Sequence, residues 1–313
     1  MRLLRGLHNP GLTKTKCVAT IGNFDGVHLG HQAIIQQVVS KAKSLGVPSV
    51  VIIFEPQPME FFQGKDAPAR LMRFREKYQA LSSFSLDYVF CLKFDSKLSH
   101  LSAESFVETV LVSHLKICHL VIGDDFRFGG DRKGDFSLLQ VLGRTRGFTV
   151  ENTPTKFAST LEENDDRISS TFVRDLLNQA RFTAAQKILG REYSMMGRVI
   201  HGQKLGRQLG FPTANIALQR IKVPFTGVYA VKVNIKNGEQ VLGVANIGVK
   251  PTVGNFLPSL EIHLLDFSDS IYGEQLSVIF CEKIRDEQRF DSIEALKEQI
   301  SKDINDAKCY FSK

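Results

Sequence analysis

Residues 19–31 of this 313-residue chain read Ala-Thr-Ile-Gly-Asn-Phe-Asp-Gly-Val-His-Leu-Gly-His, and no other stretch limits the fold so tightly. The apolar run 17–21 stops at Gly22. From Gly30 onward, apolar residues recur at Ile34, Ile35, Val38, Val39, Ala42 and Leu45, the spacing of one helical face. The stretch therefore predicts strand, glycine turn, helix. Gly22, Gly26 and Gly30 let backbone N–H groups come close to a ligand, and a helix start adds unpaired donors and a positive dipole end, so the turn suits an anion. His28 and His31, spaced i, i+3, face one way on a first helical turn and can both donate to one phosphate chain. Two histidines alone also suit a solvated surface pair, but three glycines at the same turn favour the anion site.

A second apolar run, 50–54, has the composition of a strand buried on both faces, and it completes a β-α-β unit. Further alternation follows, with a helix through Arg75, Lys77 and Leu81, a strand at 86–94, a helix capped by Ser102 with Phe106, Val107, Val110, Leu111 and Leu115, and a strand at 117–122. A helix at 137–146 and a strand at 148–151 extend it. This predicts an α/β, doubly wound parallel sheet with helices on both faces. The connection 123–134, Gly-Asp-Asp-Phe-Arg-Phe-Gly-Gly-Asp-Arg-Lys-Gly, falls at a strand end. Phe126 and Phe128 suit either stacking on a planar ligand or anchoring a solvated turn. In 167–174, Arg-Ile-Ser-Ser-Thr-Phe-Val-Arg, three hydroxyls head a helix with an arginine one turn in, which fits a triphosphate and equally an ordinary N-cap. Residues 183–186, Thr-Ala-Ala-Gln, read as a capping box for a short helix ending at Gly190.

From residue 191 the period changes to two. Tyr229, Val231, Val233 and Ile235 alternate with Ala230, Lys232 and Asn234, and Asn237-Gly238 is a hairpin signal. With strands at 197–201, 240–247, 260–267 and 276–284, the expected second domain is a small antiparallel β-barrel. Asp291 and Glu294 are expected to cap a terminal helix with Ile293, Leu296, Ile300 and Ile304 on one face. The domains expected are 1–190 and 191–313, in line with a length above the usual single core. Within the barrel, Gly206 and Gly210 of Gly-Arg-Gln-Leu-Gly-Phe-Pro-Thr-Ala-Asn, 206–215, let a loop wrap phosphates. Thr213 and Asn215, two apart, share a face if extended and offer oxygens to a hard cation such as Mg2+; the same residues also suit a plain turn. Glu261 is an acid in an apolar strand, turned either to solvent or to a barrel mouth as a general base.

The net charge of +7 comes with no block of five like charges, so the excess fits anionic small molecules or a generic solvated surface. Neither nucleic acid nor membrane is an expected partner, because no run reaches transmembrane length. Five cysteines without a Cys-x-x-Cys pair read as reduced thiols, and the N-terminus lacks the apolar core of a signal peptide; a cytoplasmic location is expected.

Five motifs in this order, at 22–31, 123–129 (Gly-Asp-Asp-Phe-Arg-Phe-Gly), 168–171 (Ile-Ser-Ser-Thr), 206–215 and 260–266 (Leu-Glu-Ile-His-Leu-Leu-Asp), span both expected domains. Together they make the chain resemble the bacterial bifunctional riboflavin kinase/FMN adenylyltransferases, or FAD synthetases. The resemblance implies a nucleotidylyltransferase domain followed by a riboflavin kinase-like barrel, with ATP as co-substrate, Mg2+ as cofactor, riboflavin as substrate, FMN as product and second substrate, and FAD as final product. It implies that His28 and His31 hold nucleotide phosphates on a turn with Gly22, Asn23, Asp25 and Gly30. Ser169, Ser170, Thr171 and Arg174 would grip the triphosphate end, and Asp125 would lie on the FMN side. Thr213 and Asn215 would bind magnesium, and Glu261 would be the kinase base. Gln57 and Lys250 depart from the family's usual His and Arg, and Asp125 is Asn in some relatives. Another adenylyltransferase would explain the first domain alone, and a flavin-sensing regulator would need none of the proposed catalytic groups.

Overall fold

The computed structural model describes residues 1–9, 15–158, 166–202, 206, 209–235, 238–252 and 255–313; for 250–252 and 255–257 it describes the backbone only. Residue contacts gather Met1–Pro68 with Phe74–Ser170 in one compact unit, and Ala69–Arg73 with Thr171–Lys313 in another.

The first unit is a six-stranded, wholly parallel sheet of β1 (Arg2–Arg5), β2 (Cys17–Ile21), β3 (Ser49–Glu55), β4 (Tyr88–Lys93), β5 (Ile117–Gly123) and β6 (Thr149–Thr153). Its order is β1-β4-β3-β2-β5-β6, so the winding reverses between β2 and β5. In such sheets ligands bind beyond the carboxyl ends of the strands at the reversal. Here those ends are Ile21 and Gly123. Helix α1 (Leu29–Leu45) closes at Gly46, whose φ of +64° favours glycine. It packs across β2, β3 and β5, and Thr153 Oγ1 at the end of β6 donates to its Gln37 Oε1 at 2.6 Å. Nearby, buried His119 meets Thr149 Oγ1 at 2.6 Å and Glu151 at 3.2 Å. Burial, helped by Lys41, holds the His119 imidazole below its ordinary pKa.

Several expectations need correction. The helix begun by Ser102 is α-helical only over Ala103–Phe106 and continues as a π-helix over Val107–His114. Its apolar residues stay buried because one wider turn still keeps Val107, Val110 and Leu111 on the core side. Three short elements carry little sequence pattern: β1, the helix α2 (Pro58–Gln63) and the barrel strand β8 (Ala214–Ala217). Helix α3 (Phe74–Ser82) follows the expected position, as does the helix Phe136–Arg146.

The second unit is a closed barrel of β7 (Ser194–Ile200), β8, β9 (Gly227–Asn234), β10 (Gln240–Thr252), β11 (Asn255–Leu264) and β12 (Gln275–Arg285), all neighbours antiparallel. Of the Asn237-Gly238 turn, Asn237 lies outside the described residues; Gly238 has φ +80°. No capping box forms at 183–186. The helix Phe182–Leu189 starts one residue earlier, with Arg181 at the cap position and no side-chain cap, because Phe182 packs edge-on against Phe225 (5.3 Å) and Tyr229 (5.6 Å). The terminal helix Ile293–Phe311 is capped by Ser292, which accepts from Ala295 N at 3.1 Å, and not by Asp291; Glu294 sits in the first turn, where it suits the dipole. Buried Asp303 anchors this helix to β12 by accepting from Arg285 (Nη2 at 2.8 Å), and it also accepts from Gln299 one turn earlier in the helix (2.8 Å).

Candidate active sites

The winding reversal of the sheet opens onto a cleft of about 230 Å³ lined by Gly22, His28, His31, Asp125, Arg167 and Ser169, among others. His28 is the N-cap of α1. Its Nδ1 accepts from His31 N at 3.3 Å, and the two imidazoles stack at 3.6 Å between centroids. With Nδ1 turned to the backbone, the remaining edges of the pair are set in one direction at a positive helix end. Gly30 leaves the ring close room there, since a Cβ would stand 3.2 Å from the His28 ring and press it by a few tenths of an ångström. The turn before the helix is strained. Phe24 and Val27 adopt φ +46° and +43° alongside Gly26 at +85°, an unusual conformation for a β-branched residue. Burial of both side chains holds it, and Gln32 Nε2 donates to Val27 O at 2.9 Å. Asp25 is buried beneath the turn, and its carbonyl accepts from Ser170 Oγ at 2.8 Å, which ties the hydroxyl-rich segment to the glycine turn.

On the other wall, Asp125 pairs with Arg167 at 2.6 Å. Asp124 accepts from the Thr155 hydroxyl at 2.6 Å and from its backbone N–H at 3.2 Å, which holds its carboxyl below the usual range. Phe126 lines the cleft, but Phe128 does not present a free ring face. It is buried under Gly134 and against Phe106, so of the two readings of this aromatic it takes the anchoring one. Thr171 and Arg174 belong to the other compact unit, where Arg174 Nε donates to Ala69 O at 2.6 Å. Gln57 is buried at the N-cap of α2, and its backbone N–H donates to Glu60 at 3.1 Å. Sequence reasoning missed two features. A second cleft of about 400 Å³ lies beside Phe62, 63% exposed, which packs edge-on to Phe61 and Phe94. Lys77 is fully buried, with Nζ donating to Asn23 O at 2.6 Å.

The barrel brings two of its expected residues, Asn215 and Glu261, into one row. Across β8, β11 and β10 the register sets Asn215 opposite Glu261 and Glu261 opposite Asn246. Because Leu260, Ile262 and Ile216 point into the core, this row lies on the outer face, and Glu261 is half-buried there. Two glycines seat it. A Cβ at Gly202 would stand 2.5 Å from Asn215 Cγ, and one at Gly206 would stand 3.2 Å from Thr213 Oγ1. Pro212, next to Thr213, is pinned through its carbonyl to His263 Nδ1 at 2.9 Å. Gly210 has φ +91°. Arg207 and Gln208, like the side chain of Lys250, lie outside the described residues. Among the described residues, no group of three or more His, Cys, Asp or Glu is placed to hold a metal; the side-chain oxygens gathered here are those of Thr213, Asn215 and Glu261.

Family models match both parts of the chain, one described as FAD synthetase over residues 12–172 and one described as riboflavin kinase over 189–311. A Haemophilus influenzae protein named bifunctional riboflavin kinase/FMN adenylyltransferase is 48% identical, covering 100% of both chains. A Pseudomonas fluorescens protein of the same name is 53% identical over 97% of this chain and 96% of its own. The crystal structure of a protein named for macrolide efflux, from Streptococcus pneumoniae, superposes with a TM-score of 0.80 at 27% identity, covering 98% of this chain and 99% of that one. No helix among the described residues is long and apolar enough to cross a membrane. The chain belongs to the family of bifunctional riboflavin kinase/FMN adenylyltransferases.

Proposed function

We propose that this chain makes FAD from riboflavin in two ATP-dependent transfers at two separate sites. The domain 191–313 moves the γ-phosphoryl group of ATP onto the terminal ribityl hydroxyl of riboflavin, releasing ADP and giving FMN. Glu261 takes the hydroxyl proton as the O–P bond forms. Thr213 and Asn215 are suited to hold Mg2+, because both present hard, uncharged oxygens on one face beside the acid. Bound there, the ion neutralises phosphate charge, and Gly206 and Gly210 let the loop backbone follow the phosphates.

The domain 1–190 transfers AMP from a second ATP to FMN. An oxygen of the FMN phosphate attacks the α-phosphorus, and pyrophosphate leaves. His28 and His31 hold the phosphates from the N-terminus of α1, on the turn formed by Gly22, Asn23, Asp25 and Gly30. Ser169 and Ser170 extend that grip, and for Thr171 and Arg174 the same role is proposed from the resemblance alone. Asp125 lies on the FMN side. Adenylyl transfer of this kind needs positioning and charge neutralisation more than covalent chemistry, which is what a helix N-terminus with two imidazoles supplies.

The observation that carries this reading is the stacked His28–His31 pair at the start of α1, on the wall of the cleft at the sheet's reversal point. The five free cysteines agree with a reducing, cytoplasmic setting in which ATP is plentiful. Purified protein incubated with riboflavin and ATP-Mg, followed by chromatography of the flavins, is expected to yield FMN first and FAD after it. Formation of neither flavin would remove the reading; FMN without FAD would restrict it to the barrel.

A further inference from the structure

Lysine is almost never fully buried unless its ammonium has a partner, because removing the charge from water is costly. Lys77, on α3, is nevertheless 0% exposed, and its Nζ donates to the carbonyl of Asn23 at 2.6 Å. Asn23 is the second residue of the Gly22 turn, and the peptide joining it to Phe24 is trans. In a trans peptide the C=O and the following N–H point in opposite directions. Drawing the Asn23 carbonyl toward Lys77 therefore turns the Phe24 N–H away from that lysine. The next residues hold an uncommon conformation, Phe24 at φ +46° and Val27 at φ +43°, and strained backbone of this kind persists only where surrounding contacts dictate it. Phe24 also lines the cleft.

We propose that Lys77 is a positioning residue for adenylyl transfer, whose ammonium fixes the orientation of the Asn23–Phe24 peptide and so presets the N–H groups of the turn for a phosphate. The inference rests on the reading of 22–31 as the phosphate turn. Lysine suits the task because a long stem carries a compact donor from a neighbouring helix into the core, where a neutral side chain of equal volume packs but cannot donate.

The test uses the full-length chain, with FMN adenylylation and riboflavin phosphorylation measured on the same sample. Lys77→Met keeps the volume and removes the donor. It is expected to lower kcat for FMN to FAD by about 10²-fold, the cost of an ångström-scale misplacement, while KM for ATP moves less than threefold and riboflavin phosphorylation is unchanged. Lys77→Ala should regain part of that kcat when ethylammonium is added, saturably and for adenylylation alone, a response that a purely structural residue does not give. Adenylylation by Lys77→Met within threefold of the parent overturns the proposal. So does loss of the folded N-terminal unit in both variants without rescue, which would make Lys77 a stabiliser of the core. A His28→Ala control separates the two ideas: if it keeps full adenylylation, the reading of the turn fails, whereas His28→Ala inactive with Lys77→Met active removes only the role of Lys77.

Discussion

Adding one methyl group at Gly202 tests the barrel site without touching any group proposed to react. Gly202 does not lie in the left-handed region, so alanine is compatible with its backbone, but the new Cβ would stand 2.5 Å from Asn215 Cγ and 2.7 Å from its Oδ1. To regain an ordinary contact distance the amide has to retreat by roughly 1 Å, and displacements of that size cost on the order of 10²-fold in rate, or about 2.7 kcal/mol. Gly202→Ala is therefore expected to slow riboflavin phosphorylation about 10²-fold while FMN adenylylation in the same preparation stays within twofold. Initial rates of FMN and FAD formation, separated by chromatography, give both numbers. The same methyl group should cost little in an Asn215→Ala background, because the group it displaces is already gone; this non-additivity ties the loss to Asn215. Phosphorylation by Gly202→Ala at the parent rate, or equal losses with and without the Asn215 side chain, would refute the reasoning.

Three other outcomes are expected. His28→Ala/His31→Ala should lose about 10²-fold or more of adenylylation and keep kinase activity; equal loss of both activities in folded protein would sink the assignment. Glu261→Gln should fail to make FMN from riboflavin, a loss of roughly 10² to 10⁴-fold, yet convert supplied FMN to FAD normally, as assays begun from each flavin will reveal. The imidazole of His119 titrates below its unfolded pKa, so the unfolded chain binds the extra proton first, and stability is full above about pH 6.5 and declines as pH falls from there toward the folded value. Thermal midpoints measured from pH 7.5 to 5 should fall less steeply in His119→Gln than in the parent, and parallel curves would show that burial of the His119 imidazole sets no such dependence.

Much of the fold was legible because its strands and helices have conventional reasons to form. β2, β3 and β5 read as unbroken apolar runs because a parallel sheet covered on both faces needs no polar residues, and α1 declares itself by its spacing and by Gly46. The π-helix after Phe106 was not legible, because one wider turn leaves the apolar spacing almost unchanged. β8 is four residues long and contains Asn215, too little for a period of two to show. The row Asn215–Glu261–Asn246 depends on register across three strands, which no local pattern records. Lys77 was hidden for the opposite reason: a lysine on an amphipathic helix is expected in water, and its bond to the carbonyl of a distant turn is written in no local pattern.

The segment Ala69–Arg73 bears on how the protein is made. It is translated about a hundred residues before its partners, yet it belongs to the C-terminal unit. Its carbonyls at Ala69, Arg70 and Leu71 accept from Arg174, Arg220 and Tyr193, and the Arg73 side chain bonds to Gln219. Domains generally fold as units from the N-terminus as the chain emerges, but here the barrel unit is threaded through by a piece of earlier chain that has to wait for it. A fragment starting at Thr171 or Arg191 would leave buried donors on Arg220 and Tyr193 to find other acceptors, at about 1–3 kcal/mol each if they do not. Supplying 69–73 as a separate peptide, or grafting it ahead of residue 171, is accordingly the route to a kinase unit that folds alone.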